Sequence, residues 1–546
     1  MDLKTYFKES FTFDLKAGFI TAIVALPLAI AFAIASGVPP VMGMYTAIIA
    51  GILGSSFGGS KFSITGPTGA MTVIILATVN KFGIEGLLLA GFLAGALQLG
   101  FGLIKLGKLV KFIPLPIISG FTSGIGVIIF IGQLGNFLGL SLPPKEFIWE
   151  NVRNVILNIE HANPAAIAMA AGTFIILHFY PVLVEKNKIL KNIPASIIAL
   201  IVFTSVVIFF GVNVPIVGEI PSGLPSFSFL NFDFDLMRNV LPSAFTIALL
   251  GSIEALLCAV VCDGMTNTRH KSNKELKSQG IANIILPFFG GIPATAAVAR
   301  SAVNVREGAK TKYAGVIHAL FLLLILFIFS PVAQFIPKPF LAGVLMFVSL
   351  NMINVKEFFT ILRISKSDTI VLSITFLLTA FTDLVFAVQV GMILAIFLLF
   401  AKLTSMIEVS HMEGHDKKGE LGETSFSDKV LDEQVSIYNI HGPFFFGAMN
   451  VFDRALNEHI HAKKPFIILR MKHVNFIDST GVERLKSFIE ERGKDSSKVM
   501  LVELHPKVKA ILMKDEAFLH LMSKQHIFNS TKEAGNYISG IIHSSK

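Results

Sequence analysis

The chain has 546 residues, 53% of them hydrophobic and 15% charged, with a formal net charge of +9. A mean hydropathy of +0.69 lies outside the soluble globular range and places the chain in the membrane class. The positive charge does not indicate nucleic-acid binding. Its Lys and Arg sit mainly in short loops (Lys105, Lys108 and Lys111; Lys186 to Lys191; Arg269 to Lys277; Arg306 to Lys312), as in the cytoplasmic loops of a multispanning protein.

Met1 to Lys16 is polar and amphipathic, with no small-residue cleavage site before the first span, and reads as a retained cytoplasmic segment. Apolar segments follow, among them Ile20–Ser36, Leu87–Ile104, Ala165–Tyr180, Ile193–Phe210 and Val371–Phe400. A hydrocarbon core needs roughly 20 residues per helix, so well over ten spans are expected. With both termini cytoplasmic the number is even, about fourteen. In the first span Pro27 kinks the helix and frees a carbonyl, and Phe32 either walls a site or packs.

Two Pro/Gly-punctuated breaks interrupt this apolar sequence, Ser63-Ile64-Thr65-Gly66-Pro67-Thr68-Gly69-Ala70 and Gly290-Gly291-Ile292-Pro293-Ala294-Thr295-Ala296-Ala297. A helix opening in mid-membrane presents unpaired N–H groups and the positive end of its dipole, and one such break in each half points to a central anion site. Ser63, Thr65 and Thr68 add hydroxyls to the first break, whose alternative reading is a kinked helix without ligand. In the second, Pro293 suits a helix start, Thr295 can cap or bind, and Arg300 brings a planar fork of donors suited to an oxyanion. Arg300 could instead snorkel or pair structurally.

Between the breaks, Ala244–Asp263 holds Glu254 in an apolar run. A carboxylate there is costly unless paired or protonated, which makes Glu254 a candidate proton carrier or cation ligand, the alternative being a structural pair. Cys258 and Cys262 are the only cysteines; four apart on a helix, they read as buried small hydrophobes. Asp263 reads as an interfacial structural group, and His318 and Asp383 are weaker candidates. No His/Asp/Glu cluster in the membrane region has metal-ligand spacing, so a membrane enzyme is disfavoured and neither cofactor nor structural metal is expected.

Near Leu403 the apolar pattern ends. Glu408 through Gln434 is polar and reads as linker. Strands are then expected at Val435–Ile440, Phe466–Met471 and Val499–Leu504, with helices at Ala448–His461 and Asp478–Arg492, which is a small cytoplasmic α/β domain. At the start of the second helix, Ser479 and Thr480 either cap it or accept a phosphate.

These residues resemble the sulfate permease family, whose eukaryotic relatives form solute carrier family 26. The likeness runs through Pro27, Ser36-Gly37-Val38-Pro39-Pro40-Val41-Met42-Gly43-Met44-Tyr45, Gly59-Ser60 to Gly66-Pro67, Gly120-Phe121-Thr122-Ser123-Gly124 and Asn273-Lys274-Glu275-Leu276 leading to Gly280. The C-terminal part resembles a STAS domain at Gly442-Pro443-Phe444-Phe445-Phe446 and Asp478-Ser479-Thr480-Gly481. The resemblance implies a polytopic helical protein of about 14 helices in a 7+7 inverted repeat. Residues 1–405 form the transport domain, 406–433 the linker and 434–546 the STAS domain.

It further implies a homodimer in the bacterial cytoplasmic membrane that moves an anion by an elevator-like motion. The anion would lie between Thr65, Gly66, Thr68, Gly69 and Ala70 and Pro293, Ala294, Thr295, Ala296 and Ala297, near Phe32, with Arg300 matching the tenth-helix arginine and Glu254 the eighth-helix acid. Leu28 stands where prestin-like members carry a polar residue.

Within the family, the Gly251–Thr266 run, Ala294–Ala297 and Arg300-Ser301 are most similar to bacterial four-carbon dicarboxylate transporters of the DauA type, implying proton-coupled dicarboxylate uptake. Pro67-Thr68-Gly69 with Met71-Thr72-Val73 is similar instead to sodium-dependent bicarbonate transporters, which implies a sodium site near Glu254, although there the usual acid is Asp. The expectation is thus a secondary active carrier of a small inorganic or organic anion, coupled to a proton or sodium. The alternatives are a sodium-dependent bicarbonate or sulfate carrier, or a channel or prestin-like motor. The STAS domain would serve regulation by a cytoplasmic partner or by phosphorylation.

Overall fold

The computed structural model describes residues 3–107, 114–140, 142–143, 145, 147–184, 193–219, 223, 225–353, 355–382, 384–412, 434–459, 464–494, 496–521 and 526–544. The loop lysines Lys108, Lys111 and Lys186 to Lys191, Asp383 and residues 413–433 of the expected linker lie outside them. The chain divides into two compact units, Met1–Ile393 and Leu394–Lys546.

The first unit is helical. It begins with α1 (Leu3–Glu9), α2 (Phe11–Ala35), α3 (Pro40–Phe57), a two-residue strand β1 (Thr65–Gly66) and α4 (Gly69–Leu103). There follow α5 (Leu115–Gly132), α6 (Leu134–Phe137), α7 (Ile148–Leu157), α8 (Pro164–Leu183), α9 (Ala195–Phe210), α10 (Phe234–Thr266) and α11 (Ser272–Ile285). Strand β2 (Thr295–Ala296) precedes α12 (Val298–Arg306), α13 (Tyr313–Ala333), α14 (Lys338–Met352), α15 (Val355–Ile364), α16 (Lys366–Phe381) and α17 (Leu384–Ser405), the last running into the second unit.

Caps fix several of the helix starts. Asn163 accepts from the Ala165 and Ala166 N–H groups, Asp233 does the same for α10, and proline opens α3, α5, α8 and α14. Among the described residues, eight helices are long and apolar enough to cross a membrane. Large apolar side chains such as Leu183, Phe209, Phe210 and Ile393 are exposed, which suits a surface facing lipid. The chain is a multi-pass membrane protein.

Helix α4 is two segments. Gly83, at φ 69° and ψ −174°, breaks it in a conformation open essentially only to glycine. With α4 counted as two and α9, α11, α12, α16 and α17 added to the eight, fourteen helical segments result among the described residues. The two breaks precede the third and the tenth. β1 and β2 pair antiparallel, Thr65 opposite Ala296 and Gly66 opposite Thr295, so the repeated motifs meet head-on as an inverted pair. Two packing groups are visible: α4 with α10 and α11, and α13 with α2 and α3, against α5, α14 and α16 with α8 and α9.

The second unit carries a five-stranded sheet: β3 (Glu408–Met412), β4 (Val435–His441), β5 (Phe466–His473), β6 (Lys498–Val502) and β7 (Ile527–Phe528), in that order, all parallel except β3. Helices α18 (Met449–His459), α19 (Ser479–Lys494), α20 (Pro506–Leu512), α21 (Glu516–Leu521) and α22 (Thr531–Ser544) complete it. Alternation along β5 sends Ile467 and Leu469 into one core with Phe488, and Phe466 and Ile468 into another with Ala534 and Ile538. The stretch read as linker differs from that reading at its start: Glu408–Met412 pairs with β4 along its whole length, giving its backbone a partner that polarity alone did not announce.

Candidate functional site

The site grows from the β1–β2 ladder, whose backbone bonds hold two helix starts together. Just past β1, α4 begins at Gly69, and past β2, α12 begins at Val298. Neither start is capped by a side chain among the described residues. Thr68 stands at the cap position of α4, but its hydroxyl donates to Glu254 Oε2 at 2.9 Å, and Ala297 at the cap of α12 has no polar side chain. Both starts present the positive ends of their dipoles without a side-chain cap, although in α4 the Met71 N–H donates to the Thr68 carbonyl at 3.2 Å.

Arg300 is among the largest fully buried side chains, 1% exposed. One terminal nitrogen donates to the Pro67 carbonyl at 2.7 Å, while Nε and the other terminal nitrogen have no partner among the described residues. Such an unsatisfied buried cation is costly, and an anion would satisfy it. Gly66 is required by the same guanidinium: a Cβ there would lie 2.6 Å from an Arg300 terminal nitrogen. Arg300 thus joins the second break to the first through a carbonyl and a glycine rather than through a carboxylate.

Other expected residues have partners within the protein. The Thr295 hydroxyl donates to the Gly251 carbonyl at 2.8 Å, and the Thr65 hydroxyl accepts from Gln279 at 3.0 Å. Ala294 exchanges both backbone groups with Asn283, and Ile64 N–H donates to Ser301. Pro293 packs near Gly91, and Ala296 is fully buried in the ladder. Ser63 is buried at the far end of the first break, next to Cys258, which donates to Ser301 at 3.1 Å. Phe32, Ile129 and Met352 surround Gly69, each within 3.5 Å of where its Cβ would be, and cover the first turn of α4 with Ala70 buried beneath. The first turn of α12 is open, with Val298 and Ala299 exposed.

Glu254 is half-buried, one hydrogen bond from the cap of α4. Asp263 takes the Thr268 hydroxyl and the His270 backbone and ring, a local lock on the end of α10. His318 is fully buried on α13, beside Gly51, with neither ring nitrogen partnered among the described residues. Asp383 lies outside the described residues.

Reading the breaks alone misses the polar face of α11. Glu275, Gln279 and Asn283 fall four apart on one stripe: Glu275 accepts from Gly59 and Ser60 N–H just before the first break, Gln279 reaches Thr65 within it, and Asn283 reaches Ala294 in the second break and Gln98. The signal was present as three polar side chains at helical spacing in a buried segment. In the second unit, Asp478 caps α19 through the Gly481 N–H at 2.8 Å, which leaves Ser479 and Thr480 exposed beside the cap rather than serving as it.

Residues 11–375 match the Sulfate permease family, and residues 427–534 match the STAS domain. The chain is similar to the putative sulfate transporter YvdB of Bacillus subtilis (strain 168), 39% identical over 97% of this chain and 98% of the relative. It is also similar to the bicarbonate transporter BicA of Picosynechococcus sp., 34% identical over 81% of this chain and 80% of the relative. The transmembrane domain of a cyanobacterial BicA superposes with a TM-score of 0.63 at 32% identity, over 72% of this chain and 98% of that one. Murine Slc26a9 in the inward-facing state gives 0.87 at 19% identity, over 98% and 92%, a likeness of fold.

Proposed function

The chain belongs to the sulfate permease family of anion transporters, and on that premise we propose that it is a secondary active carrier of a compact oxyanion, bicarbonate or sulfate, with Glu254 as its coupling group. One observation carries the reading: a fully buried arginine in the first turn of one uncapped half-helix, with two nitrogens that have no partner among the described residues, reaches the Pro67 carbonyl just before the other. A buried guanidinium fork beside a helix start suits a compact oxyanion. The names of the two relatives given above, a putative sulfate and a bicarbonate transporter, favour the same class. Four-carbon dicarboxylate uptake is a second reading, favoured by the Gly251–Thr266 and Ala294–Ala297 runs.

Glu254 and the anion share a helix end through Thr68. A proton or sodium ion on Glu254 would offset its negative charge at the place where the anion must bind, so cation and anion would load together. The site sits almost wholly in the packing group of α4, α10 to α12 and α2, with α5 and α14 contributing Ile129 and Met352 across it. That division supports movement of one group past the other, an elevator-like step, in a homodimer of the bacterial cytoplasmic membrane with both termini inside.

Proteoliposomes carrying the protein, given labelled bicarbonate, sulfate, fumarate and succinate under an imposed proton and then a sodium gradient, test this. The expected outcome is concentrative uptake of an inorganic oxyanion by the parent, and none by Glu254→Gln, which still binds the anion. Gradient-driven uptake by Glu254→Gln contradicts the coupling assignment; dicarboxylate uptake contradicts the substrate class; and currents beyond carrier rates contradict the carrier.

A further inference from the structure

A cavity of about 400 Å³ opens at the end of the bundle where α2 finishes, lined by the ends of α2 and α5, the middle of α4's first segment, α6, α7 and the start of α14. Among the described residues its charged lining is Lys145 and Lys338, both basic, with no carboxylate. Gln133 and Asn136 line it too, joined by a 3.1 Å hydrogen bond, while Asn151 holds the Lys145 backbone from both sides, accepting from its N–H at 3.1 Å and donating to its carbonyl at 2.8 Å. The Lys145 backbone is thereby held at the cavity, and that of Lys338 by its N–H donating to the Pro215 carbonyl at 2.8 Å.

The inner wall matters most. Ile129 lines this cavity and also stands 3.2 Å from where a Gly69 Cβ would be, against the first turn of α4. Thr72, another lining residue, donates to the Gly69 carbonyl at 2.6 Å. Ile129, with Phe32 beside it at Gly69, thus stands both on the cavity wall and against the start of α4.

Resting on the reading of the paired helix starts as the transport site, we propose that this cavity is a separate capture site for small oxyanions on the face where α2 ends. Lys145 and Lys338 draw the ion in, Gln133 and Asn136 replace part of its water, and displacement of Ile129 passes it to α4. A cleft lined by one sign of charge, with low-dielectric walls, concentrates counter-ions and speeds their entry by about tenfold or more. The apolar floor of Val73, Leu76 and Ile129 keeps residence short, so the cavity loads the site without competing with it.

The cavity can be probed directly because the chain's two cysteines are both buried. Val155→Cys, on the lining, is to be treated with anionic and cationic thiosulfonate reagents of similar size, with and without sulfate or bicarbonate. The anionic reagent should react about tenfold faster. Sulfate or bicarbonate should slow it, and Lys145→Gln with Lys338→Gln should abolish both the preference and the protection. Equal reactivity of the two reagents, or no protection by either anion, overturns the capture site.

Uptake supplies the second measurement. In the double lysine variant the half-saturating anion concentration should rise about fivefold from the face where α2 ends and stay unchanged from the opposite face. An equal change from both faces, or none from either, overturns the proposal. If the parent moves no anion at all, the transport reading falls, while the labelling result still decides whether the cavity holds oxyanions.

Discussion

At the residue scale, Arg300 and Gly66 form one unit: the guanidinium of the second break lies over the glycine of the first. Gly66→Ala places a methyl 2.6 Å from an Arg300 nitrogen and must push the guanidinium aside. Charge-assisted hydrogen bonds are worth about 1.5 to 3 kcal/mol, so anion affinity should fall about tenfold to a hundredfold, as measured by equilibrium binding to purified protein. Unchanged affinity in a folded Gly66→Ala protein would detach Arg300 from the site. Both residues were legible in the sequence as candidates, because Gly beside Pro interrupts an apolar helix and a buried Arg is costly without an anionic partner. Their direct contact was not, since it depends on the Thr65–Ala296 register between segments far apart in the chain. Nor could the sequence assign the partners of the hydroxyls: Thr68 and Thr295 look alike in their motifs, yet one donates to Glu254 and the other to a helix carbonyl.

At the scale of elements, helix breaks divide this chain more than loops do. Hydropathy finds Leu87–Ile104 as a span but not that it continues Gly69–Phe82 through a single non-helical residue, Gly83. Glycine's freedom at φ 69° supplies that turn, and a Cβ there would meet nothing within 4 Å, so Gly83→Ala isolates the backbone term. It should cost about 1 to 3 kcal/mol, read as a lower Tm in detergent with the anion affinity retained. No change in Tm would mean that the turn is not strained for other residues. The polar stripe of α11 shows the opposite case: Glu275, Gln279 and Asn283 were visible at helical spacing, and their targets in and just before the breaks, largely bare backbone, were invisible. In the second unit strand alternation marked β4, β5 and β6 well. Edge strand β3 escaped because Glu408–Met412 mixes charge with its alternation, as solvent-facing edges do.

At the scale of the whole molecule, composition alone separated an apolar region from a polar α/β domain, and each of the two units has its own core. The proposed anion site draws only on residues of the first unit. Removing residues 430–546 should therefore lower abundance or trafficking and leave affinity in correctly inserted protein unchanged, as checked by surface quantification beside binding; lost affinity would show that the second unit shapes the site. The measurement that bears most directly on the account is equilibrium binding and gradient-driven uptake of bicarbonate and sulfate by the parent, Glu254→Gln and Arg300→Ala side by side. The account predicts that Glu254→Gln binds but does not concentrate the anion, and that Arg300→Ala loses binding itself by about tenfold or more. An Arg300→Ala protein that binds both anions as tightly as the parent would contradict the anion site built on the paired helix starts.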